Sequence, residues 1–447
     1  MKFSTRAIAF LGATAMLIPL AACGGGSSNS GQPSQESNVK EIDVWAWDPS
    51  LKQIAADYEK KTGIKVNLKN VGTNTKEYTQ LDNAIEAGSG APDVAQIEYY
   101  ALPQYAIKGN LLDITDKTSG YEDFYKPGPW SSVQIDGKVY ALPIDAGPMA
   151  FFYNKEIFDK AGVDGEKIKT WDDYYEAAKM VRATGAYMTN NSGSAMEYQP
   201  FTAQAWQAGA RPWKVDGDKI TIDMTNDAGM KKYIAFQQKL IDEDLINTQI
   251  ANWSDEWNRS LNDGSIASLT IGAWMPVNLM NAAPDQKGNW RVTQLPQWNE
   301  GDQVSSEDGG SALAITSQSK NQAAAYKFIQ YMTLGKGAEL MAQTGTFPSL
   351  KSIMDSKEFT DPNAESNKKT NEFFGGQNVN EILSEAAKRS VNEFQYLPYN
   401  AFAQTEFGDD ISPAYNKKES LQEAFANYGK KLAEHGTQQG YDVTNEG

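Results

Sequence analysis

The apolar positions along the chain change their period several times, and each change marks an element. Near the start, Lys2 and Arg6 precede an unbroken apolar run, "AIAFLGATAMLIPLAA" (residues 7–22), too short to span a bilayer comfortably and ending in small residues. That combination reads as a secretory signal peptide over residues 1–22. "GGGSSNSGQPSQESN" (residues 24–38) has almost nothing to bury and reads as a flexible tether of about 20 Å r.m.s. span. Strict alternation begins at "KEIDVWAWD" (residues 40–48), where Ile42, Val44 and Ala46 interleave with Asp43, Trp45 and Trp47, as in a strand. In "PSLKQIAADYEKKTG" the period becomes helical through Leu51, Ile54, Ala55 and Tyr58, with Gly63 as the stop. "IKVNLKNV" predicts a second strand, "EYTQLDNAIEAG" a helix ended by Gly88, and "PDVAQIE" a third strand. Strands alternating with helices predict an α/β domain with a largely parallel sheet. Beyond Asn154 the pattern turns mostly helical, through "WDDYYEAAKMVRATG", "DAGMKKYIAFQQKLIDEDL", "AAAYKFIQYMTLG" and "VNEILSEAAKRSVNEF". No internal repeat is visible.

Composition narrows the class. Once the signal is removed, roughly 425 residues remain, more than one compact core holds and comfortable for two domains. The formal charge is −16 and becomes more negative when Lys2 and Arg6 leave with the signal. This argues against nucleic acid as a partner and against a broad electrostatic hold on anionic lipid. No later stretch has eighteen uninterrupted apolar residues, so no other membrane span is expected. The chain has one cysteine, Cys23, so an intramolecular disulfide is impossible. Leu20-Ala21-Ala22-Cys23 resembles the bacterial lipobox, in which the thiol is acylated and the chain is cut just before it. The resemblance implies a mature protein starting at Cys23, held by lipid on the extracytoplasmic face of a bacterial membrane, with residues 23–38 as its stalk.

Six phrases then resemble, in order, the extracellular solute-binding proteins of ABC importers, in the carbohydrate-binding family that includes maltose-binding protein. They are "ADYEKKTGIKV" (residues 56–66), "AGSGAPDVAQIEYYALPQYAIKGNLLDIT" (87–115), "GKVYALPIDAGPMAFFYNKEIFDKAGV" (137–163), "TWDDYYEAAKMV" (170–181), "NDGSIASLTIGAW" (262–274) and "GGSALAITSQSKNQAAAYKFIQYM" (309–332). The resemblance covers nearly the whole mature chain. It implies a two-lobe α/β fold of the periplasmic-binding-protein type, with a ligand cleft between lobes joined by multiple crossovers. Carried over, the N-terminal lobe takes residues 39–143 and 308–335, and the C-terminal lobe residues 144–307 and 336–447. The implied function is reversible capture of a carbohydrate, preferably an oligosaccharide, by hinge closure. The cargo would pass to a permease with a cytoplasmic ATPase, and the binding protein itself would be a monomer without cofactor.

Sugar rings present apolar C–H faces and a rim of hydroxyls, so a site needs flat aromatic surface beside paired donors and acceptors. The chain has 11 Trp and 21 Tyr, most of which are expected in cores with a satisfied polar tip. The resemblance singles out Trp274 after "SLTIG" as a stacking residue, and Trp206 and Glu197 as contacts from the second lobe. Asp145 falls in the first crossover, where a carboxylate can face ligand or make a hinge hydrogen bond. Asp308, Gly309 and Gly310 mark the return crossover, and "EDGGS" is a candidate cleft floor. Strand ends at the carboxyl edge of an open α/β sheet bind ligands. This selects Trp47 and Asp48 after the first strand, and one of Tyr99 and Tyr100 after the third. Asn74, in "GTNTKEY", suits a hydroxyl or a turn, and Phe347 belongs to a late loop, "TGTFPS".

Two other readings are open at the level of sequence. A secreted glycoside hydrolase needs only two carboxylates about 5–10 Å apart, and 57 acidic residues supply many pairs. A binding lipoprotein for a non-sugar solute is the second. With one histidine, His435, a Ser-His-Asp triad is improbable, and zinc sites of Cys and His type lack ligands. "DEDLINT" and "WNEGDQ" are acidic but do not have EF-hand spacing, so no metal is expected. An adhesin would show repeats or all-β modules.

Overall fold

In the computed structural model, which describes residues 39–72, 75–391 and 395–447, the first strand spans Glu41–Trp45. Cys23 and Asn74 lie outside the described residues. Alternation does what its period requires: Ile42, Val44 and Ala46 are buried while Asp43 points to solvent. The following helix, Leu51–Thr62, buries Leu51, Ile54, Ala55 and Tyr58 and ends at Gly63, whose φ of 75° is left-handed and whose N–H donates to the Glu59 carbonyl at 2.8 Å. Lys60 and Lys61 in its last turn complement the helix dipole. Strand Lys65–Lys69, helix Thr75–Glu86 and the buried strand Val94–Glu98 complete the alternating unit.

These strands sit in a five-stranded sheet ordered Lys65–Lys69, Glu41–Trp45, Val94–Glu98, Ser311–Ile315, Ala141–Pro143. The first three are parallel, but Ser311–Ile315 runs antiparallel to both of its neighbours. The sheet is therefore mixed rather than largely parallel. Parallel pairing follows from strand–helix–strand crossovers; Ser311–Ile315 arrives after a long excursion of the chain, so no crossover fixes its direction. One hydrophobic cluster surrounds this sheet, drawn from residues 42–144 and 312–350, and it includes Ala338 and Met341 past Gly335.

The remaining chain builds around the antiparallel strand Met149–Asn154, paired on either side with Ser268–Gly272 and Trp290–Thr293. Helix Trp171–Ala183 starts at a capping box, in which Thr170 Oγ accepts from the Asp173 N–H and the Asp173 carboxylate accepts from the Thr170 N–H. It packs in a second cluster with helices Ala228–Asp242, Asn400–Tyr415 and Leu421–Gln438. This part is mostly helical as expected, with short strands that periodicity does not reveal, such as Trp213–Asp216, Lys219–Ile222 and Asp442–Asn445. Four or five residues are too few for a period, and their partners lie far along the chain. The late helix covers Val379–Lys388, stopping short of the sequence pattern.

Three segments, residues 144–149, 306–311 and 347–349, run side by side between these bodies. Ile144 N donates to Ser311 O (3.0 Å), Ala146 N to Phe347 O (3.0 Å) and Met149 N to Ser306 O (2.8 Å). Gly147 sits where the first two are closest. Its N–H donates to Glu307 Oε2 at 3.0 Å and its carbonyl accepts from Asp308 N at 2.7 Å. A Cβ on Gly147 would lie 2.1 Å from the Asp308 carbonyl oxygen, so the position admits no side chain. Gly147→Ala is expected to force the segments apart and lower stability by about 1–3 kcal/mol, read as a shift of the urea midpoint at constant slope.

Candidate functional site

The strand Val94–Glu98 delivers Glu98 and then Tyr99 to the carboxyl edge of the sheet, opposite Ser311 of the neighbouring strand. Tyr99 N donates to Gly310 O at 3.1 Å, and the Tyr99 ring lies so close that a Cβ on Gly310 would meet it at 2.5 Å. With φ of 81° and 103°, Gly309 and Gly310 hold backbone that L side chains rarely adopt. The Tyr99 hydroxyl donates to the Asp145 carbonyl at 2.7 Å. Asp145 Oδ1 accepts from Ser311 N and Ser311 Oγ at 2.6 and 2.7 Å. Gln96 Nε2 donates to Ser311 Oγ at 3.0 Å, and Gln96 Oε1 accepts from the backbone N–H of both Trp47 and Asp48 at 3.1 Å. Asp48 in turn accepts from Ser50 N–H and hydroxyl, and from Thr346 Oγ1. A single polar chain thus ties the ends of the first and third strands to the crossovers.

On the other side, Trp274 follows the strand Ser268–Gly272 and precedes helix Met275–Ala282. Its indole N–H donates to the Asp308 carbonyl at 2.7 Å. Gly272 and Gly309 leave room for it: a Cβ on Gly272 would lie 2.4 Å from Trp274 Nε1. Gln199, near the start of helix Tyr198–Gln207, approaches the same Gly309. Trp274 remains partly exposed, and its ring centre is 5.3 Å from that of Trp253.

The electrostatics of this region are set by buried acids. Burial pushes Glu98 up to about 7 against the hydrogen bonds from Tyr100 and Tyr78, and the charge of Asp145 adds to the rise. Burial likewise raises Asp145 to about 7, with Asp48 adding to it and the Ser311 donors opposing it. Glu307 reaches about 7 by burial despite Ser390 and the Gly147 N–H, with Asp145 and Asp308 contributing. Asp308, 2% exposed, is also raised to about 7 by burial. Behind them, burial lifts Glu77 to about 8, and Glu98 adds to it. Among the described residues, no group of three or more His, Cys, Asp or Glu side chains could hold a metal ion.

The structure therefore brings together Tyr99, Asp145, Asp308, Gly309, Gly310 and Trp274, with Trp47 and Asp48 linked through Gln96. Other candidates lie elsewhere. Tyr100 is buried edge-on against Tyr78. Phe347 is buried against Phe359, and its carbonyl accepts from Ala146 N of the crossover. Trp206 is 1% exposed, with the Arg211 guanidinium 4.1 Å from its ring centre. Glu197 is buried, Oε2 accepting from Ser192 Oγ and the Ser194 N–H and hydroxyl and Oε1 from Asn252 N. Through Asn252 it is tied to the turn that carries Trp253. Sequence reasoning passed over Gln96 and Tyr396, and took Glu307 only as part of "EDGGS". Gln96 carried a signal, a polar residue inside an otherwise apolar strand, and Glu307 adjoins Asp308. Tyr396, which lies near Glu307, Asp308 and Glu98, carried none.

Comparison with known proteins agrees with this architecture. The family model for bacterial extracellular solute-binding proteins matches residues 46–339. The solved structure of an ABC transporter associated binding protein from B. animalis subsp. lactis Bl-04, in complex with beta-1,6-galactobiose, is 58% identical. It superposes with a TM-score of 0.82 over 91% of this chain and 100% of that one. The galacto-N-biose-/lacto-N-biose I-binding protein from Bifidobacterium longum, in complex with lacto-N-biose, is 25% identical, with a TM-score of 0.78 over 91% of this chain and 99% of that one. An arabinooligosaccharide-binding protein of Halalkalibacterium halodurans is 29% identical over 372 residues, 78% of this chain and 80% of its own.

Proposed function

The chain belongs to the bacterial extracellular solute-binding proteins, and from that membership we propose that it captures a short galactose-containing oligosaccharide outside the cell for an ABC importer. The observation that carries this reading is the 58% identity, across the full length of the other chain, to a binding protein solved with beta-1,6-galactobiose. The chemistry of the crossovers supports it. A partly exposed indole held at Trp274 offers an apolar face, and carboxyl and hydroxyl groups at Asp145, Asp308, Glu98, Tyr99 and Tyr396 offer partners for a hydroxyl rim.

The mechanism is capture without bond breaking. Two lobes close on the sugar about the three adjoining segments, and the closed shape is what the permease, coupled to its cytoplasmic ATPase, reads. The lobes proposed from the sequence are residues 39–143 with 308–335 and residues 144–307 with 336–447. Membership of Ala338, Met341 and Leu350 in the first hydrophobic cluster supports ending the first lobe near Leu350 instead. In this reading Cys23 carries the lipid that keeps the monomer on the outer face of the membrane.

Calorimetry of the full chain against β-1,6-galactobiose, lacto-N-biose, arabino-oligosaccharides and malto-oligosaccharides, with analysis of the recovered sugars, tests the proposal. Saturable binding of a galactose-containing sugar at micromolar affinity, about −8 kcal/mol, with the sugar recovered intact, is the expected result. Cleaved sugar would make the carboxyl groups catalysts, and silence across the panel would overturn the carbohydrate reading.

A further inference from the structure

Gln96 stands in the middle of the buried strand Val94–Glu98 and is 2% exposed. A carboxamide there carries N–H donors and an acceptor oxygen into a core, which is costly unless they are matched. Its partners lie at the carboxyl edge of the sheet. Ala46 N still donates to the Lys69 carbonyl at 3.1 Å, in step with the first strand's ladder. The next two N–H groups, those of Trp47 and Asp48, both donate to Gln96 Oε1 at 3.1 Å. On its other side, Gln96 Nε2 donates to Ser311 Oγ at 3.0 Å.

The direction of these bonds is forced. Asp145 Oδ1 accepts from Ser311 N at 2.6 Å and from Ser311 Oγ at 2.7 Å, so the single proton of that hydroxyl is committed to Asp145. Ser311 Oγ can then only accept from Gln96, while two backbone N–H groups need the amide oxygen. Glutamine satisfies both ends at once. Leucine satisfies neither, and an ionised glutamate has no proton to give Ser311. Asp48 extends the line, its Oδ2 accepting from Thr346 Oγ1 at 3.2 Å. The Trp47–Asp48 loop is thereby tied to all three side-by-side segments: to Ser311 through Gln96, to Asp145 through Ser311, and to Thr346 beside Phe347.

We propose that Gln96 is a positioning residue for capture, fixing the Trp47–Asp48 loop against the three adjoining segments so that this wall of the sugar site is preformed and moves with the hinge. This rests on the carbohydrate reading above and adds to it a residue that does not touch sugar. Buried, with its amide nitrogen and oxygen both engaged, Gln96 acts only through what it holds. A loop released from it has to be ordered anew each time sugar binds, and that ordering lowers affinity.

Gln96→Glu tests this with the shape nearly unchanged. The acids facing the line are Asp48 and Asp145, with Glu98 two residues along the same strand and Glu307 acting on Asp145. Ionised, the new carboxylate still accepts from Trp47 N and Asp48 N, but it cannot donate to Ser311 and it sits among those acids. Protonated, it donates as the amide does. Calorimetry of the full chain with β-1,6-galactobiose is expected to give an affinity about tenfold below the unmodified chain at pH 8, with most of it recovered at pH 5, the two chains being compared at each pH. Gln96→Leu, which neither donates nor accepts, is expected to be about tenfold weaker at both. Urea midpoints on the same preparations separate affinity from folding. Lowered midpoints with unmodified affinity at both pH values would make Gln96 purely structural and overturn the proposal, as would an affinity in Gln96→Glu that does not change with pH. Thr346→Val cuts the same line at its half-buried far end and is expected to weaken binding about threefold with little change in midpoint. Unchanged affinity there, with Gln96 variants too unstable to measure, would also overturn it. Failure of the carbohydrate reading itself looks different, since the unmodified chain would then bind no sugar at either pH.

Discussion

Trp274→Ala is expected to weaken sugar binding by about 30- to 150-fold, or ~2–3 kcal/mol, the range for a buried aromatic anchor at the centre of a binding surface. The substitution removes the partly exposed ring and the indole N–H that donates to the Asp308 carbonyl. It leaves the backbone between strand Ser268–Gly272 and helix Met275–Ala282 intact, because Trp274 makes no side-chain cap there. Folding stability is therefore expected to drop by only about 1–2 kcal/mol, the cost of one hydrogen bond and some packing. Calorimetry and urea denaturation on the same preparation separate the two effects. Trp274→Phe keeps a ring and loses the N–H, so it divides stacking from positioning. An alanine variant that binds as tightly as the unmodified protein would remove Trp274 from the site.

Stability is expected to fall as pH rises from about 4 to about 7. Glu98, Asp145, Glu307 and Asp308 are each pushed up to about 7, and burial is the first cause in every case. The unfolded chain releases these protons near pH 4, while the native state keeps them until near pH 7. Across that window the native state binds more protons, so its advantage is complete below about pH 4 and lost as pH passes 7. Asp308 isolates the effect, because its Oδ2 is buried with no hydrogen-bond partner among the described residues. Asp308→Asn keeps the shape and removes the charge. It is expected to stabilise the protein by about 1–3 kcal/mol at pH 8 and by little at pH 5, read from urea midpoints at the two values. A gain of equal size at both would mean that ionisation of Asp308 is not what costs stability.

Short-range order was written plainly in the residues. The alternation at Ile42, Val44 and Ala46, the helical spacing of Leu51, Ile54, Ala55 and Tyr58, and the capping pair Thr170 and Asp173 each act within a few neighbours. Their structural consequence follows wherever the chain later goes. The run of family-like phrases carried the architecture, and the family match over residues 46–339 agrees with it. The site was legible in part. Trp274, Asp145, Tyr99 and the Asp308-Gly309-Gly310 turn converge, whereas Trp206 and Phe347 turned into cores, and Glu197 is tied to a turn.

What the amino-acid sequence determined alone was the set of local elements and the class of protein. Tertiary structure alone decided the rest. It set the antiparallel entry of Ser311–Ile315 into the first sheet, the hydrogen bond of Tyr99 to the Asp145 carbonyl, and the use of Gln96 to bind two strand ends to a crossover. The reason is range: periodicity and caps are properties of a few consecutive residues. The candidate site lies where residues 144–149, 306–311 and 347–349 meet, and which side chain faces which is fixed only when those distant backbones lie against one another.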